Sequence, residues 1–212
     1  MSTIEFCYSA SLLIVSAIGV IRYKVLSTPF KLLTWSTIAI FVKNIAAVIV
    51  NHKYKTNAPV LHIEALTEYI FYALIYYYLF TNPILKKWII ISIVVITVFA
   101  IFNALYLEPF KSVFPTNVNL PTLALLAILS LLLFRQMLFY PLKTPILKQG
   151  VFWYNTAIIF QATTTFMALG FSNIQVNYGI DYLIFYFWYA ILFIFTLLIG
   201  VALSIEKNKH YA

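Results

Sequence analysis

Residues 88–107 read WIIISIVVITVFAIFNALYL, twenty residues without a single charge. At 1.5 Å of rise per residue, about 20 such residues cross the roughly 30 Å hydrocarbon core of a bilayer as a helix. The β-branched run Ile89–Val98 has strand-forming residue types. It is continuously apolar, however, and lacks the alternation between lipid and lumen that a membrane barrel shows. The stretch is read as a helix. Its surroundings agree, because 63% of the 212 residues are hydrophobic and only 9% are charged. A soluble domain carries about 25% charged residues. Mean hydropathy is +0.94. A globule in water cannot hide this much apolar side chain, which excludes a soluble enzyme, a disordered chain and a disulfide scaffold. The sequence predicts an all-α integral membrane protein.

Working outward, six further stretches are long and apolar enough to span. The predicted spans cover about 4–21, 31–50, 60–80, 88–107, 120–140, 151–171 and 182–204, a single seven-helix membrane domain occupying 1–212. The segments between them are rich in basic residues, and these give orientation. With the N-terminus outside, the cytoplasmic segments hold Arg22, Lys24, Lys31, Lys86, Lys87, Arg135, Lys143, Lys148, Lys207 and Lys209. The outer segments hold only Lys53, Lys55 and Lys111. This asymmetry predicts an N-terminus outside, a C-terminus in the cytoplasm and a multi-pass protein of the cell inner membrane. The net charge of +8 is thereby read as a topology signal and a contact for anionic headgroups of the lipid bilayer, not as a nucleic-acid surface. Met1–Phe6 has no basic residue and includes Glu5, so the first span is expected to be retained and not cleaved as a signal.

The one cysteine, Cys7, precludes an internal disulfide and is expected to pack as a small hydrophobe. All eight prolines fall in connections or at predicted helix ends, with Pro59 and Pro121 placed for first turns. No Gly/Pro interruption falls mid-span, unlike the broken helices of many secondary transporters. Tyrosines such as Tyr23, Tyr54, Tyr106, Tyr140, Tyr178 and Tyr182, with Trp153, suggest an interfacial aromatic belt. Tyr76, Tyr77 and Tyr78 are assigned to it as well. Arg135 is expected to snorkel to headgroups. The connections are too short to hold a soluble domain.

Ionisable groups inside spans are the natural functional candidates. Lys43 and Asn44 lie in the second span; His62, Glu64 and Glu68 lie in the third. Lys43 and Glu68 sit about eight and nine residues below the outer surface, roughly 12–13 Å at 1.5 Å per residue. Consecutive antiparallel spans are usually neighbours, so a Lys43–Glu68 or Lys43–Glu64 pair is expected. Glu64, Glu68, Tyr72 and Tyr76 recur every fourth residue and share one face. Two carboxylates beside one lysine leave a negative charge to be matched, a basis for proton or cation response. Asn103 and Gln161 lie in the fourth and sixth spans and complete the candidate binding cluster: Lys43, Asn44, His62, Glu64, Glu68, Tyr72, Asn103 and Gln161. Glu108, Asn117, Asn119, Asn177 and Asp181 fall toward the same outer level. The Thr163–Thr165 run is read first as glue between helices.

Several chemistries are missing from the sequence. The last span has no lysine for a retinal Schiff base, and no HExxH motif, nucleotide loop or aspartyl pair occurs. No catalytic residue, metal ligand set or cofactor is predicted.

The stretches LHIEALTEY (61–69), LALLAILSLLLF (123–134), FPTN (114–117) and TPILKQGVFWYNTAIIF (144–160) resemble a family of small seven-span membrane proteins of Bacteroidetes-type bacteria. The resemblance covers most of residues 60–205. Its patterns fall on His62 and Glu68, on Phe114, Pro115 and Asn117, and on Pro145, Leu147, Lys148, Phe152, Trp153 and Asn155. Gln161 and the threonine run depart from it. The resemblance implies association with histidine kinases and hence a sensory or accessory role, in which an outer-facing polar pocket is coupled to a separate cytosolic partner. Two other readings stay open: a small transporter or channel using Lys43, Glu64 and Glu68, and an intramembrane lipid-modifying enzyme using the two glutamates.

Overall fold

The computed structural model describes residues 3–140, 144–175 and 181–207, with the backbone alone at residue 3, 171–175 and 181–185. Lys143, Asn177, Tyr178 and Lys209 lie outside the described residues, and the side chains of Asp181 and Tyr182 do too. Seven long helices follow in order: α1 Thr3–Ile21, α2 Thr28–Tyr54, α3 Ala58–Leu79, α4 Pro83–Phe102, α5 Thr116–Phe139, α6 Gly150–Gln175 and α7 Asp181–Ile205. No strand occurs among the described residues. Six of the seven are long and apolar enough to cross a membrane. The other is α6, whose 26 residues include Asn155, Gln161 and Thr163–Thr165.

The helix boundaries follow from local chemistry. Proline stands in the first turn of α2, α3 and α4, where its missing N–H has no intrahelical partner to lose. The Asn82 side chain accepts from the Ile84 N–H at 2.8 Å and caps α4. Lys55 ends α2 in the left-handed conformation, at φ 59°. Pro121 lies in the second turn of α5, because that helix begins earlier than the apolar run, at Thr116. The predicted uniform span 88–107 changes its winding. From Asn103 to Leu107 the chain is π-helical, and the Glu108 N–H donates to the Asn103 carbonyl at 2.8 Å.

The helices close into a ring in the order α1, α2, α3, α5, α6, α7 and back to α1, while α4 packs outside the ring against α3. Val94, Val95, Val98 and Ile101 of α4 are all exposed, as helix faces turned to lipid must be. Below, the end at which α1, α3, α5 and α7 begin is the upper end. At the lower end Arg22 joins the ring's two termini. Its Nε and Nη2 donate to the Leu203 and Glu206 carbonyls at 3.0 and 2.8 Å. Ser27 Oγ donates to Glu206 Oε1 at 3.1 Å.

Cys7 is exposed rather than packed, because it lies about 100° around α1 from the buried Tyr8 and next to the exposed Phe6, at the edge of the face that packs. Tyr54, Tyr106 and Tyr140 are exposed as a belt requires, but Tyr76 is not. It sits on the face of α3 that looks into the ring. Arg135 is exposed, with its guanidinium 5.6 Å from the centroid of the Phe139 ring.

Gly19 marks the closest approach of α1 to α2. A Cβ there would lie 2.6, 2.7 and 3.0 Å from Thr34 Oγ1, Cγ2 and Cβ. Thr34 is buried and donates to the Phe30 carbonyl at 3.0 Å, so it has no slack. Gly19→Ala should therefore cost about 1–3 kcal/mol by overpacking. Gly170, with nothing within 4 Å of an added Cβ, should tolerate alanine. Thermal unfolding in detergent separates the two, and equal melting temperatures would refute the close packing of α1 on α2.

Candidate functional site

The charged residues of α3 arise from simple helical arithmetic. Glu64, Glu68 and Tyr72 are each one turn apart, so all three look toward the ring interior. His62 precedes Glu64 by two residues, about 200° around the helix at 3.6 residues per turn, and so faces elsewhere. Across from Glu64, in α2, Lys43 Nζ donates to Glu64 Oε1. Both side chains are 19% exposed. Of the two pairings the sequence allows, the structure makes Lys43–Glu64. Glu68 lies one turn further down, on the same face of α3.

These groups line a cavity of about 330 Å³ inside the upper half of the ring. Every helix except α4 contributes: Tyr8 from α1, Lys43 and Asn44 from α2, Glu64, Glu68 and Tyr72 from α3, Asn119 and Thr122 from α5, Gln161 and Thr165 from α6, Trp188 and Tyr189 from α7. The structure thus brings together six of the eight sequence candidates: Lys43, Asn44, Glu64, Glu68, Tyr72 and Gln161. Two polar atoms on the wall are buried without a well-formed hydrogen bond, Asn44 Nδ2, which lies toward Tyr8, and Tyr72 Oη. Tyr72 is only 1% exposed. An unsatisfied buried polar group costs about 1–3 kcal/mol, so both are poised to bond with whatever enters.

His62 and Asn103 belong to a different construction. His62 is buried, with its ring nitrogen Nε2 3.0 Å from the Val113 carbonyl oxygen and its ring against Phe110. Asn103 Nδ2 donates to Glu108 at 2.7 Å, and Asn117 Nδ2 donates to Asn103 Oδ1 at 3.2 Å. The Glu108 carboxylate also accepts from the Asn117 backbone N–H, at 3.1 and 3.2 Å to its two oxygens. A carboxylate at a helix N-terminus is favourable. Glu108 therefore ties the π-helical end of α4 to the start of α5, and His62 holds the intervening loop. This loop carries Phe114 to the cavity rim.

Below Tyr72 the interior is filled. The Tyr72 ring meets Phe195 edge-on at 6.1 Å, and Tyr154 Oη donates to the Tyr72 carbonyl at 3.4 Å. Tyr154 packs on Tyr76 with ring centroids 5.5 Å apart. Tyr76 Oη donates to Asn155 Oδ1 at 2.8 Å, Asn155 Nδ2 donates to the Ser130 carbonyl at 3.0 Å, and Ser130 Oγ donates to the Asn155 carbonyl at 3.1 Å. All of these polar groups are completely buried and bonded. A column of side chains thus runs from the cavity floor toward the lower end. Tyr8, Thr122, Trp188 and Tyr189, which also line the cavity, carry no signal in the sequence beyond their apolar runs. The buried position of Asn155 is equally silent, although polar residues in a span must find partners.

The arrangement can bind. Lys43, Glu64 and Glu68 together place two carboxyl groups and one amine beside an amide donor and a phenol, in a space large enough for a small polar group. Among the described residues, no three His, Cys, Asp or Glu side chains are grouped to hold a metal ion. Compared with protein-family models, curated proteins and solved structures, the chain gives no match.

The pairing is directly testable. Lys43→Met and Glu64→Gln should each lower the melting temperature, and the double variant should recover part of the loss, with a coupling of about 0.5–3 kcal/mol. The same cycle between Lys43 and Glu68 should show the smaller coupling. A larger Lys43–Glu68 term would mean that the lysine pairs one turn lower.

Proposed function

We propose that this chain is a seven-span receptor-type protein of the bacterial inner membrane, with its N-terminus outside and its C-terminus in the cytoplasm. It takes a polar group into the outer-half cavity and passes occupancy to a separate cytosolic signalling partner, such as a histidine kinase. The observation that carries this reading is the seating of the cavity on the buried aromatic column. Six helices converge on one polar pocket, and the pocket floor, Tyr72, is packed and hydrogen-bonded to Tyr154. That residue packs in turn on the Tyr76–Asn155–Ser130 network. Cavity occupancy that shifts α3 against α6 therefore has packed neighbours to act on toward the cytoplasmic end.

The same column weighs against an open channel. A path through the ring would have to displace Tyr72, Tyr76, Tyr154 and Phe195, all deeply buried. An intramembrane enzyme would use Glu64 and Glu68, yet one of these is already committed to Lys43. The short connections leave output to a partner. The lower end, where Arg22 fastens α1 to α7 beside the basic segments, offers a cationic surface for it. Counting α6 as a span fits its length, since its polar residues Asn155, Gln161 and Thr165 face the interior and not lipid.

Two measurements test this reading. In a Cys7→Ala background, Lys111→Cys should react with a membrane-impermeant maleimide in intact cells, and Thr144→Cys only after permeabilisation. Cross-linked capture from native membranes should retrieve a histidine kinase whose autophosphorylation changes severalfold in Glu68→Gln cells. The reverse labelling pattern would overturn the topology. Unchanged phosphorylation on deletion of the chain would overturn the coupling.

A further inference from the structure

The charged cluster is not confined to the interior. A second space, of about 440 Å³, runs along the outside of the bundle between α2 and α3. Its walls are almost wholly carbon, from residues such as Trp35, Ile38, Ala39, Val42, Val60 and Ile63. Trp35, Val42 and Ile63 are each more than half exposed, so in a bilayer this groove opens to the acyl chains. Lys43, Glu64 and Glu68 line both the groove and the interior cavity. The two spaces therefore meet at the ion pair. The division of chemistry is sharp: an apolar channel on the membrane side, and on the inner side three ionisable groups, the Asn44 amide and the unpartnered Tyr72 Oη.

We infer that the ligand is a membrane-partitioned amphiphile with a single aliphatic tail and a cationic amine head, entering sideways between α2 and α3. This deepens the receptor reading and rests on it. The head lies among Glu64, Glu68 and Tyr72, where an ammonium meets a second carboxyl group, Glu68, beyond the one that Lys43 pairs with, and donates to acceptor oxygens. A hydroxyl or carbonyl oxygen near the amine accepts from Asn44 Nδ2. The tail lies in the groove over Ala39, Val42 and Ile63. A soluble anion would meet two carboxyl groups against one lysine in the cavity. An amphiphile with an anionic head would have to displace Glu64 from Lys43 and would leave two carboxyl groups unmatched in a low-dielectric site, which is costly. The Lys43–Glu64 pair stands where the head must pass.

The test uses the purified full chain in lipid nanodiscs, with dodecylamine, butylamine and dodecanoate as probes and thermal unfolding as the readout. Dodecylamine should raise the melting temperature of the wild type, with half-maximal effect at a concentration at least tenfold below that of butylamine. Dodecanoate should leave it unchanged. Membrane partition concentrates dodecylamine equally around every variant, so variants isolate the site. Ala39→Trp fills the groove without replacing a charged group and should weaken the dodecylamine response at least tenfold; Ala46→Phe provides the same block at another groove position. Glu68→Gln should weaken it comparably. Three results overturn the inference: a butylamine response as strong as that of dodecylamine, a dodecanoate response equal to that of the amine, or an undiminished dodecylamine response in both groove-filled variants. The first of these leaves a water-facing receptor pocket standing. The receptor reading itself fails on the labelling pattern or on kinase output, neither of which this measurement touches.

Discussion

The Lys43–Glu64 ion pair is the interaction on which the upper half of this bundle depends. An isolated charge near the middle of a membrane helix costs at least about 2.5–3.5 kcal/mol on insertion scales. Two charges on adjacent antiparallel helices at matched depth relieve each other. That requirement fixes the rotation of α2 and α3 about their axes, because Lys43 and Glu64 must face across their shared seam. Once α3 is so oriented, Glu68 and Tyr72 follow at one-turn intervals and are delivered to the interior. The same rotation turns Ile63 outward and His62 toward the loop that α4 and α5 share. The cavity is thus a consequence of pairing a charge that the apolar surroundings would otherwise reject.

The lower half obeys a different rule. There the polar groups of the aromatic column are neutral, and each is bonded: Tyr76 to Asn155, Asn155 to Ser130, Tyr154 to the backbone of Tyr72. Large aromatic rings fill the remaining space, so this half is closed. The upper half keeps two buried donors without well-formed hydrogen bonds and stays open. The contrast between a satisfied column and an unsatisfied cavity, within one ring of helices, distinguishes a scaffold from a site more firmly than does the presence of charge alone.

Much of this was legible in the sequence, because a membrane imposes strong one-dimensional constraints. Apolar stretches of about 20 residues had to become helices, and the seven long helices fall within a few residues of those stretches. The i, i+4 spacing of Glu64 and Glu68 put them on one face, and equal depth set Lys43 opposite Glu68, one turn from the Glu64 with which it pairs. What the sequence hid was rotation and order around the ring. Tyr76 reads as one more interfacial tyrosine until α3 is turned inward. Asn103 reads as a pocket residue because it shares the depth of the cluster, yet α4 lies outside the ring, so depth without ring position misplaced it. Tyr8 and Tyr189 sit in apolar runs, and only the closure of α1 on α7 brings them to the cavity.

The position of α4 also bears on how the site is reached. Six helices suffice to enclose the cavity, and α4 buttresses α3 from outside, on the side toward α5. It leaves the seam between α2 and α3 uncovered, and that seam is where the charged cluster touches the membrane face. A bundle selected only for stability would cover such a seam, since partly exposed charges beside acyl chains are unfavourable. Here the extra helix is placed elsewhere. Moreover, the loop after α4 is anchored by Glu108, Asn117 and His62 so that Phe114 closes on the upper rim. The fold therefore narrows access from the aqueous side while leaving the lateral side lined with exposed carbon, an arrangement suited to a ligand that arrives through the bilayer.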